Sequence, residues 1–199
     1  MMEDIKNLII QDNVKIEING RICHHKIKIL YGLAKHFNLS KYIEIGVHNG
    51  SSMAYTLQSQ SISECIGIDP FEDLVTNDPH MKHYQNNDKI TLEKTKKNIM
   101  LNNKFNAKIN LIKDYSENTN IYNLDKDYDL LFIDGNHNYK YVMNDFNKFK
   151  NVIKSGGYIV FDDLHQDGPK KAFFEILKND KDIKLFGIYE KTEGILIKK

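Results

Sequence analysis

Short runs of β-branched and other apolar residues alternate with segments of helical periodicity along most of this chain. Strands that are each followed by a helix predict a parallel sheet covered by helices on both faces. The predicted strands comprise residues 41–47, 64–69, 108–113, 128–134 and 157–162. The predicted helices comprise residues 24–37, 50–60, 88–102, 138–154 and 169–179. This alternation restricts the main part of the chain to an α/β fold.

The alternation ends in the last segment of the chain. Two β-rich runs, residues 183–190 and 194–199, are separated by only three residues. That gap is too short for a crossover helix and fits a hairpin. The predicted fold is therefore a doubly wound, Rossmann-like α/β sheet of seven strands, mostly parallel, with an antiparallel C-terminal hairpin.

Two regions are interpreted separately from the sheet. Residues 1–40 are predicted to form an N-terminal helical extension, and residues 41–199 the main domain. Residues 71–87 are long for a connection between a strand and a helix, and long loops of this kind often act as lids or bind substrate. A disordered excursion is the alternative interpretation of this loop.

The composition narrows the choice of partners. Lys and Arg total 28 residues against 27 acidic residues, and Arg21 is the single arginine, so the net charge is +1. Nucleic acid is therefore not favoured as a partner. The two cysteines form neither a disulfide framework nor a zinc motif. Because no apolar run spans a bilayer and no signal peptide is recognisable, we expect a cytoplasmic protein without a membrane partner.

Polar residues cluster where the predicted strands end. Ligands of open α/β sheets bind beyond the carboxyl ends of the strands, so these residues are the candidate site. In chain order they are Glu44, Gly46, Asn49, Gly50, Ser51, Ser52, Asp69, Asp114, Tyr115, Ser116, Asp134, His137, Asp162 and Asp163.

The segment IEIGVHNGSS, residues 43–52, places a carboxylate inside a glycine turn. Glu44 would repel a pyrophosphate, and G-x-G-x-x-G is absent, so an NAD-dependent oxidoreductase is disfavoured. The carboxylate suits a ligand with an ammonium group and a sulfonium, such as S-adenosylmethionine. Gly46 and Gly50 are expected to let the backbone approach that ligand. Asp69 is expected to accept hydrogen bonds from both ribose hydroxyls.

Four motifs resemble those of the class I methyltransferases: IEIGVHNGSS, IGIDPF, LLFIDGNHNY and GGYIVFDDL. Within that class they are most similar to the metal-dependent O-methyltransferases, close to the sugar and macrolide-sugar enzymes of the methyltransferase 24 family. The catechol type is more distant. The resemblance covers residues 40–199 and implies S-adenosylmethionine as cofactor. The contacts it implies are Glu44, Gly46, Asn49, Gly50, Ser51, Ser52, Asp69 and Asp134, with Asp114, Tyr115 and Ser116 against the adenine.

The same resemblance implies a divalent ion held by Asp134, Asp162 and Asp163. An independent argument agrees, because three carboxylates converging at neighbouring strand ends would repel one another without a cation. Oxygen ligands without cysteine favour Mg²⁺, or Mn²⁺, over Zn²⁺. The alternative interpretation is that Asp162 or Asp163 only caps the following turn.

His137 is the candidate general base, three residues beyond Asp134. An imidazole titrates near neutrality, which suits proton removal from a hydroxyl. The family assigns a His or a Lys to this position. The alternative is a histidine that only caps the next helix.

These observations predict an S-adenosylmethionine-dependent, Mg²⁺-dependent O-methyltransferase. Its partner would be a small hydroxylated acceptor, with a vicinal diol suiting bidentate metal binding and a sugar favoured by the resemblance. Two alternatives remain open: a metal-independent methyltransferase, in which Asp134 and Asp163 tolerate Asn, and a non-catalytic cofactor-binding scaffold. The N-terminal extension is predicted either to form a homo-oligomer contact or to cover the acceptor site.

Overall fold

The computed structural model describes residues 14–23, 28–72 and 89–199. The strands are β1 Ile16–Ile18, β2 Arg21–Cys23, β3 Lys41–Ile45, β4 Glu64–Asp69, β5 Lys108–Lys113, β6 Tyr128–Ile133, β7 Ile153–Phe161, β8 Ile183–Tyr189 and β9 Glu193–Lys198. The helices are α1 Ile29–Phe37, α2 Ser51–Thr56, α3 Leu92–Asn102, α4 Tyr139–Phe149 and α5 Asp167–Asn179. Most of the predicted loop at 71–87 lies outside the described residues.

Seven strands form one sheet in the order β5-β4-β3-β6-β7-β9-β8. The pairs from β5 to β7 are parallel, and β9 is antiparallel to both of its neighbours. This arrangement confirms the predicted fold, including the C-terminal hairpin. The chain proceeds outward from β3 through β4 to β5 and then returns to β6 on the other side of β3. The crevice beyond the carboxyl ends of β3 and β6 is therefore the switch point of the sheet.

The two faces of the sheet are covered by different helices, as in a doubly wound fold. Strand β6 is buried along its whole length, and its side chains alternate between the faces. Leu130 and Phe132 pack in the cluster that contains residues of α1, α2 and α3. Leu131 and Ile133 pack in the cluster that contains residues of α4 and α5. Among the described residues, no helix combines the length and apolar character needed to cross a bilayer.

The prediction of a purely helical N-terminal extension is wrong for residues 16–23. Strands β1 and β2 pair antiparallel there, around Asn19 (φ 51°) and Gly20 (φ 74°). Two successive left-handed residues of the type Asn-Gly make the turn that matches the twist of a hairpin. Ile16 and Ile18 pack with side chains of α1 and α2. The hairpin therefore lies against the helices that cover the main sheet.

Strand β7 begins at Ile153, four residues before the predicted start. The sequence predicted a helix up to residue 154 and a strand beginning at Gly157, but the helix ends at Phe149 and the strand already includes residues 153–156. Gly156 has φ 79°, and the pairing of β6 with β7 shifts register between Tyr128 and Leu130. An irregularity of this kind lets a strand continue through glycines.

Candidate functional site

A tight turn joins β3 to α2 at the switch point. The amide of Gly50 donates to the carbonyl of Val47 at 2.8 Å, and Ser51 begins the helix. His48 (φ 51°) and Gly50 (φ 81°) both have left-handed backbone. We call residues 46–50 the glycine loop; the sequence placed it at the cofactor.

Protein packing requires both glycines of this loop. The sequence indicated a different reason for them, the close approach of the backbone to the ligand. A Cβ at Gly46 would lie 1.9 Å from the backbone oxygen of Asp134, because the backbone after β3 packs directly against the backbone after β6. A Cβ at Gly50 would lie 2.7 Å from Cγ1 of Ile99 on α3. Both glycines therefore fix the loop against the neighbouring elements.

Replacing Gly46 by Ala is expected to destabilise the fold by about 3 kcal/mol or more, because left-handed strain adds to a clash with backbone. Gly156→Ala is the matched control. It also has positive φ, but its Cβ would meet nothing within 4 Å, so only the strain of about 1 kcal/mol is expected. Chemical denaturation of both variants measures the difference. Equal losses would contradict the clash.

Glu44 is fully buried, so its carboxylate, which was predicted to face an ammonium group, is shielded by protein side chains. Tyr42 donates its hydroxyl hydrogen to Oε2 of Glu44 at 2.6 Å, and the Ser52 hydroxyl donates to Oε1. Burial, together with the charges of Asp134 and Asp69, raises the pKa of Glu44 to about 8 despite these two hydrogen bonds. Any electrostatic effect on a ligand therefore acts across Ser52.

Asp69 lies at the end of β4, as predicted. Its Oδ2 accepts the amide of His48 at 2.9 Å, and its Oδ1 accepts the amide of Phe71 at 2.6 Å. Each carboxylate oxygen keeps a free lone pair after this single bond. The two backbone amides fix the carboxylate in an orientation from which it can accept two ligand hydroxyls.

The loop after β5 was predicted to border the adenine. Tyr115 is nearly half exposed, and Oδ1 of Asp114 accepts the amide of Tyr115 at 2.8 Å. Ser116 instead donates to Oδ1 of the buried Asp145 on α4 at 2.6 Å. Lys148 donates to the carbonyl of Ser116 at 2.7 Å. The hydroxyl of Ser116 therefore holds the loop on α4, and its place against the adenine stays a prediction.

A cluster of two acids and one histidine lies at the ends of β6 and β7. His137 Nε2 is 3.6 Å from Oδ1 of Asp134 and 3.3 Å from Oδ2 of Asp163. One ligand atom from each of the three residues lies within 4.8 Å of the others. The structure thus brings Asp134 and Asp163, two of the three carboxylates predicted to converge, together with His137.

Asp162, the third predicted metal ligand, lies beside this three-residue group and not within it, and its role as a ligand stays a prediction. Its Oδ1 accepts the amide of the next residue, Asp163, at 2.7 Å, because Asp163 has left-handed backbone (φ 55°). Burial and the charges of Asp134 and Asp163 raise the pKa of Asp162 to about 8. Asp162 therefore lies close enough to Asp134 and Asp163 for their charges to favour its protonated form.

The electrostatics of the cluster fit a divalent cation. Burial and the nearby carboxylates raise the pKa of Asp134 to about 6. Burial alone would lower the pKa of His137, but Asp134, Asp163 and Asp162 raise it instead. Excess negative charge at close range is the condition that a bound cation relieves. Two carboxylates and an imidazole suit Mn²⁺ as well as Mg²⁺.

Sequence reasoning missed several residues that hold the site. Tyr42 stands two residues before Glu44 on β3, so both side chains share one face of the strand, and this spacing was a usable signal. Gln166 donates to Oδ2 of Asp163 at 2.9 Å. Thr95 and Asn98 of α3 bond to the glycine loop, and no sequence motif identifies such contacts.

The strand order, with Glu44 and the glycine loop at the switch point, is that of the class I methyltransferases. A family model described as a methyltransferase domain, methyltransferase 24, matches residues 43–164, more than half of the chain. The chain therefore belongs to this methyltransferase family, which confirms the resemblance carried by its four motifs.

One curated relative is similar along most of the chain. "Uncharacterized protein R132" of Acanthamoeba polyphaga mimivirus is 35% identical over 160 residues, which cover 77% of this chain and 65% of the relative. This chain therefore spans slightly less than two thirds of that protein's length.

Solved structures share the fold at low identity. The O-methyltransferase NovP is 16% identical over 85% of this chain and 76% of its own, with a TM-score of 0.65. An O-methyltransferase from Bacillus cereus in complex with SAH is 15% identical over 85% of this chain and 79% of its own, with a TM-score of 0.57. Structures described as rRNA methylases also match. The fold alone therefore does not choose the acceptor.

Proposed function

We propose that this chain is an S-adenosylmethionine-dependent O-methyltransferase acting on a hydroxyl of a small molecule. The observation that carries the proposal is the position of Asp69 and the cluster of Asp134, His137 and Asp163 on opposite sides of one crevice. Membership of the methyltransferase family supports the cofactor, and the solved O-methyltransferases support oxygen as the accepting atom.

The cofactor is proposed to lie across the carboxyl ends of β3 and β4. Asp69, oriented by two backbone amides, would accept the ribose hydroxyls. The glycine loop and the start of α2, where Oδ1 of Asn49 accepts the amide of Ser51 at 3.1 Å, would lie against the cofactor. Tyr115 would border the adenine, because it is exposed beside the end of β5.

The acceptor is proposed to lie beside the acidic cluster. Asp134 and Asp163 would hold a Mg²⁺ or Mn²⁺ ion. When bound, such an ion supplies Lewis acidity that lowers the pKa of an acceptor hydroxyl and fixes its orientation. His137 would take the hydroxyl proton at Nε2, the ring atom that faces both carboxylates. Methyl transfer then requires the acceptor oxygen, the methyl carbon and the sulfur to lie in line.

A vicinal diol, as in a sugar, is the acceptor class we propose. Two neighbouring oxygens can occupy adjacent positions of one cation, which orients the reacting hydroxyl. His165, with its Nδ1 3.4 Å from Oδ1 of Asp163 and its side chain mostly exposed, lies at the edge of this region and would face the acceptor.

The test of the cofactor assignment is calorimetric titration of S-adenosylhomocysteine into wild type and Asp69→Asn. The substitution is expected to weaken binding by about 100-fold or more, because the carboxylate loses charge and one acceptor oxygen. Glu64→Gln, at the opposite end of β4, is the control and is expected to bind like wild type. Absence of binding by folded wild-type protein would contradict the proposal.

A further inference from the structure

We infer that Thr95 and Asn98 on α3 are positioning residues that hold the glycine loop, and through it Asp69, in the geometry that binds the cofactor. The inference rests on the proposed function. It adds to the site a helix that carries none of the four sequence motifs. It also connects the N-terminal hairpin to the cofactor site.

Both residues hydrogen-bond to carbonyls of the glycine loop. The hydroxyl of Thr95 donates to the carbonyl of His48 at 2.7 Å, and Nδ2 of Asn98 donates to the carbonyl of Asn49 at 3.0 Å. Thr95 is 1% exposed and Asn98 is 3% exposed. Because water has little access to these bonds, each carbonyl depends on its partner from α3.

The loop needs this support because its backbone is in a conformation that few residues adopt. His48 has φ 51°, which is unfavourable for a side chain with a Cβ unless surrounding contacts hold it. In this conformation the amide of His48 points at Oδ2 of Asp69 at 2.9 Å. The hydroxyl of Thr95 therefore fixes the carbonyl of His48. The amide of the same residue orients Asp69, the proposed ribose-binding acid.

Asn98 also receives the N-terminal hairpin. Its Oδ1 accepts the amide of Asn19 at 3.0 Å, and its Nδ2 donates to Oδ1 of Asn19 at 3.0 Å. One buried amide thus uses both of its N–H groups and its oxygen, which leaves it a single orientation. The hairpin therefore stabilises the orientation in which Asn98 holds the glycine loop.

The decisive comparison is Thr95→Val against Thr95→Ser. Valine keeps the shape of the side chain and removes the hydroxyl, whereas serine keeps the hydroxyl. We expect Thr95→Val to raise the Kd of S-adenosylhomocysteine about tenfold, the cost of one buried hydrogen bond. Thr95→Ser should stay within about twofold of wild type. An unchanged Kd in Thr95→Val would overturn the inference.

Two further variants separate positioning from general loosening of the helix. Asn98→Ala removes the bond to Asn49 and is expected to raise the Kd about as much as Thr95→Val. Asn102→Ala is the matched control, since Asn102 is equally buried and bonds to Glu17 and its own helix. It should lower the melting temperature but raise the Kd clearly less than Asn98→Ala, because it loosens the hairpin and leaves both bonds to the glycine loop in place.

The outcomes separate this inference from the function on which it rests. A Kd raised equally by Asn102→Ala would show that any loosening of α3 weakens binding, and would overturn the positioning role. Wild-type protein that does not bind S-adenosylhomocysteine would overturn the proposed function and this inference together. Wild-type binding with normal binding by Thr95→Val and Asn98→Ala would overturn the inference alone.

Discussion

Asp163→Asn is expected to lower the affinity for Mn²⁺ by about 100-fold or more while leaving the binding of S-adenosylhomocysteine unchanged. The substitution replaces one of the two carboxylates that approach Nε2 of His137 with a neutral amide of the same shape. Asparagine tolerates the left-handed backbone at this position (φ 55°) better than most residues. The fold should therefore survive, and the lost charge should be the main effect.

Paramagnetic resonance of free Mn²⁺ measures this affinity without knowledge of the acceptor. Once an acceptor is found, the same variant should lower kcat about 1,000-fold, since metal activation of a hydroxyl contributes several kcal/mol to the barrier. Chelator should abolish turnover of the wild type, and Mn²⁺ or Mg²⁺ should restore it. Full turnover by Asp163→Asn in chelator would establish the metal-independent alternative.

Asp167→Asn serves as the matched control. Asp167 is an exposed acid in the first turn of α5, four residues beyond Asp163. Its replacement changes the net charge by the same amount close to the same loop. Mn²⁺ affinity within about twofold of wild type is expected, because exposed charges are well screened. A loss as large as that of Asp163→Asn would mean that the binding depends on overall charge and not on the cluster.

The sheet was predictable because each strand carries its own local signal. Strands β4 and β5 have the predicted bounds, residues 64–69 and 108–113, since polar or turn residues flank both apolar runs. The hairpin at residues 16–23 carries an equally clear signal, an Asn-Gly pair between alternating residues. It was missed because residues 1–40 were interpreted together as a helical extension, with a helix predicted only at residues 24–37. Local sequence signals predict individual strands, but a predicted helix in one segment does not exclude a hairpin beside it.

The site was predictable only in part. The acids at strand ends follow from topology, because parallel strands deliver their carboxyl ends to one edge. The direction in which each side chain points does not follow from topology, since it depends on contacts between segments distant in sequence. Ser116 points to Asp145, which lies 29 positions further along the chain. Asp162 accepts the amide of Asp163, a residue whose left-handed backbone the residue type does not dictate.

The wild-type protein is expected to lose stability relative to Glu44→Gln as the pH rises from about 4.5 to 8. Glu44 has an ordinary pKa of 4.5 when exposed, and burial raises this value to about 8 in the fold. A raised folded-state pKa means that the folded protein binds the proton more tightly than the unfolded chain. The stabilisation is therefore complete below pH 4.5 and is lost as the pH rises through 8.

The size of this effect is set by the two pKa values. At about 1.4 kcal/mol per pH unit, the loss between pH 4.5 and 8 is at most about 5 kcal/mol. The glutamine side chain of the variant stays neutral, so its contribution does not change with pH. Urea denaturation of both proteins without ligand, at half-unit steps of pH, measures the difference directly. Parallel curves across this range would mean that Glu44 is ionised throughout, with its charge balanced by Tyr42 and Ser52.

Asp129→Asn tests a carboxyl group whose pKa is lowered by folding, in the same urea denaturation experiment. The carboxylate of Asp129 accepts the amides of Ser40 and Lys41 at 2.9 and 2.7 Å and pairs with Lys154. Burial alone would raise the pKa of Asp129, but these partners lower it. A carboxylate whose pKa is lowered by folding stabilises the protein at pH values above its ordinary pKa. This stabilisation is lost in acid. The variant should therefore be less stable by a constant amount between about pH 5 and 8, the range in which the Glu44→Gln difference is changing.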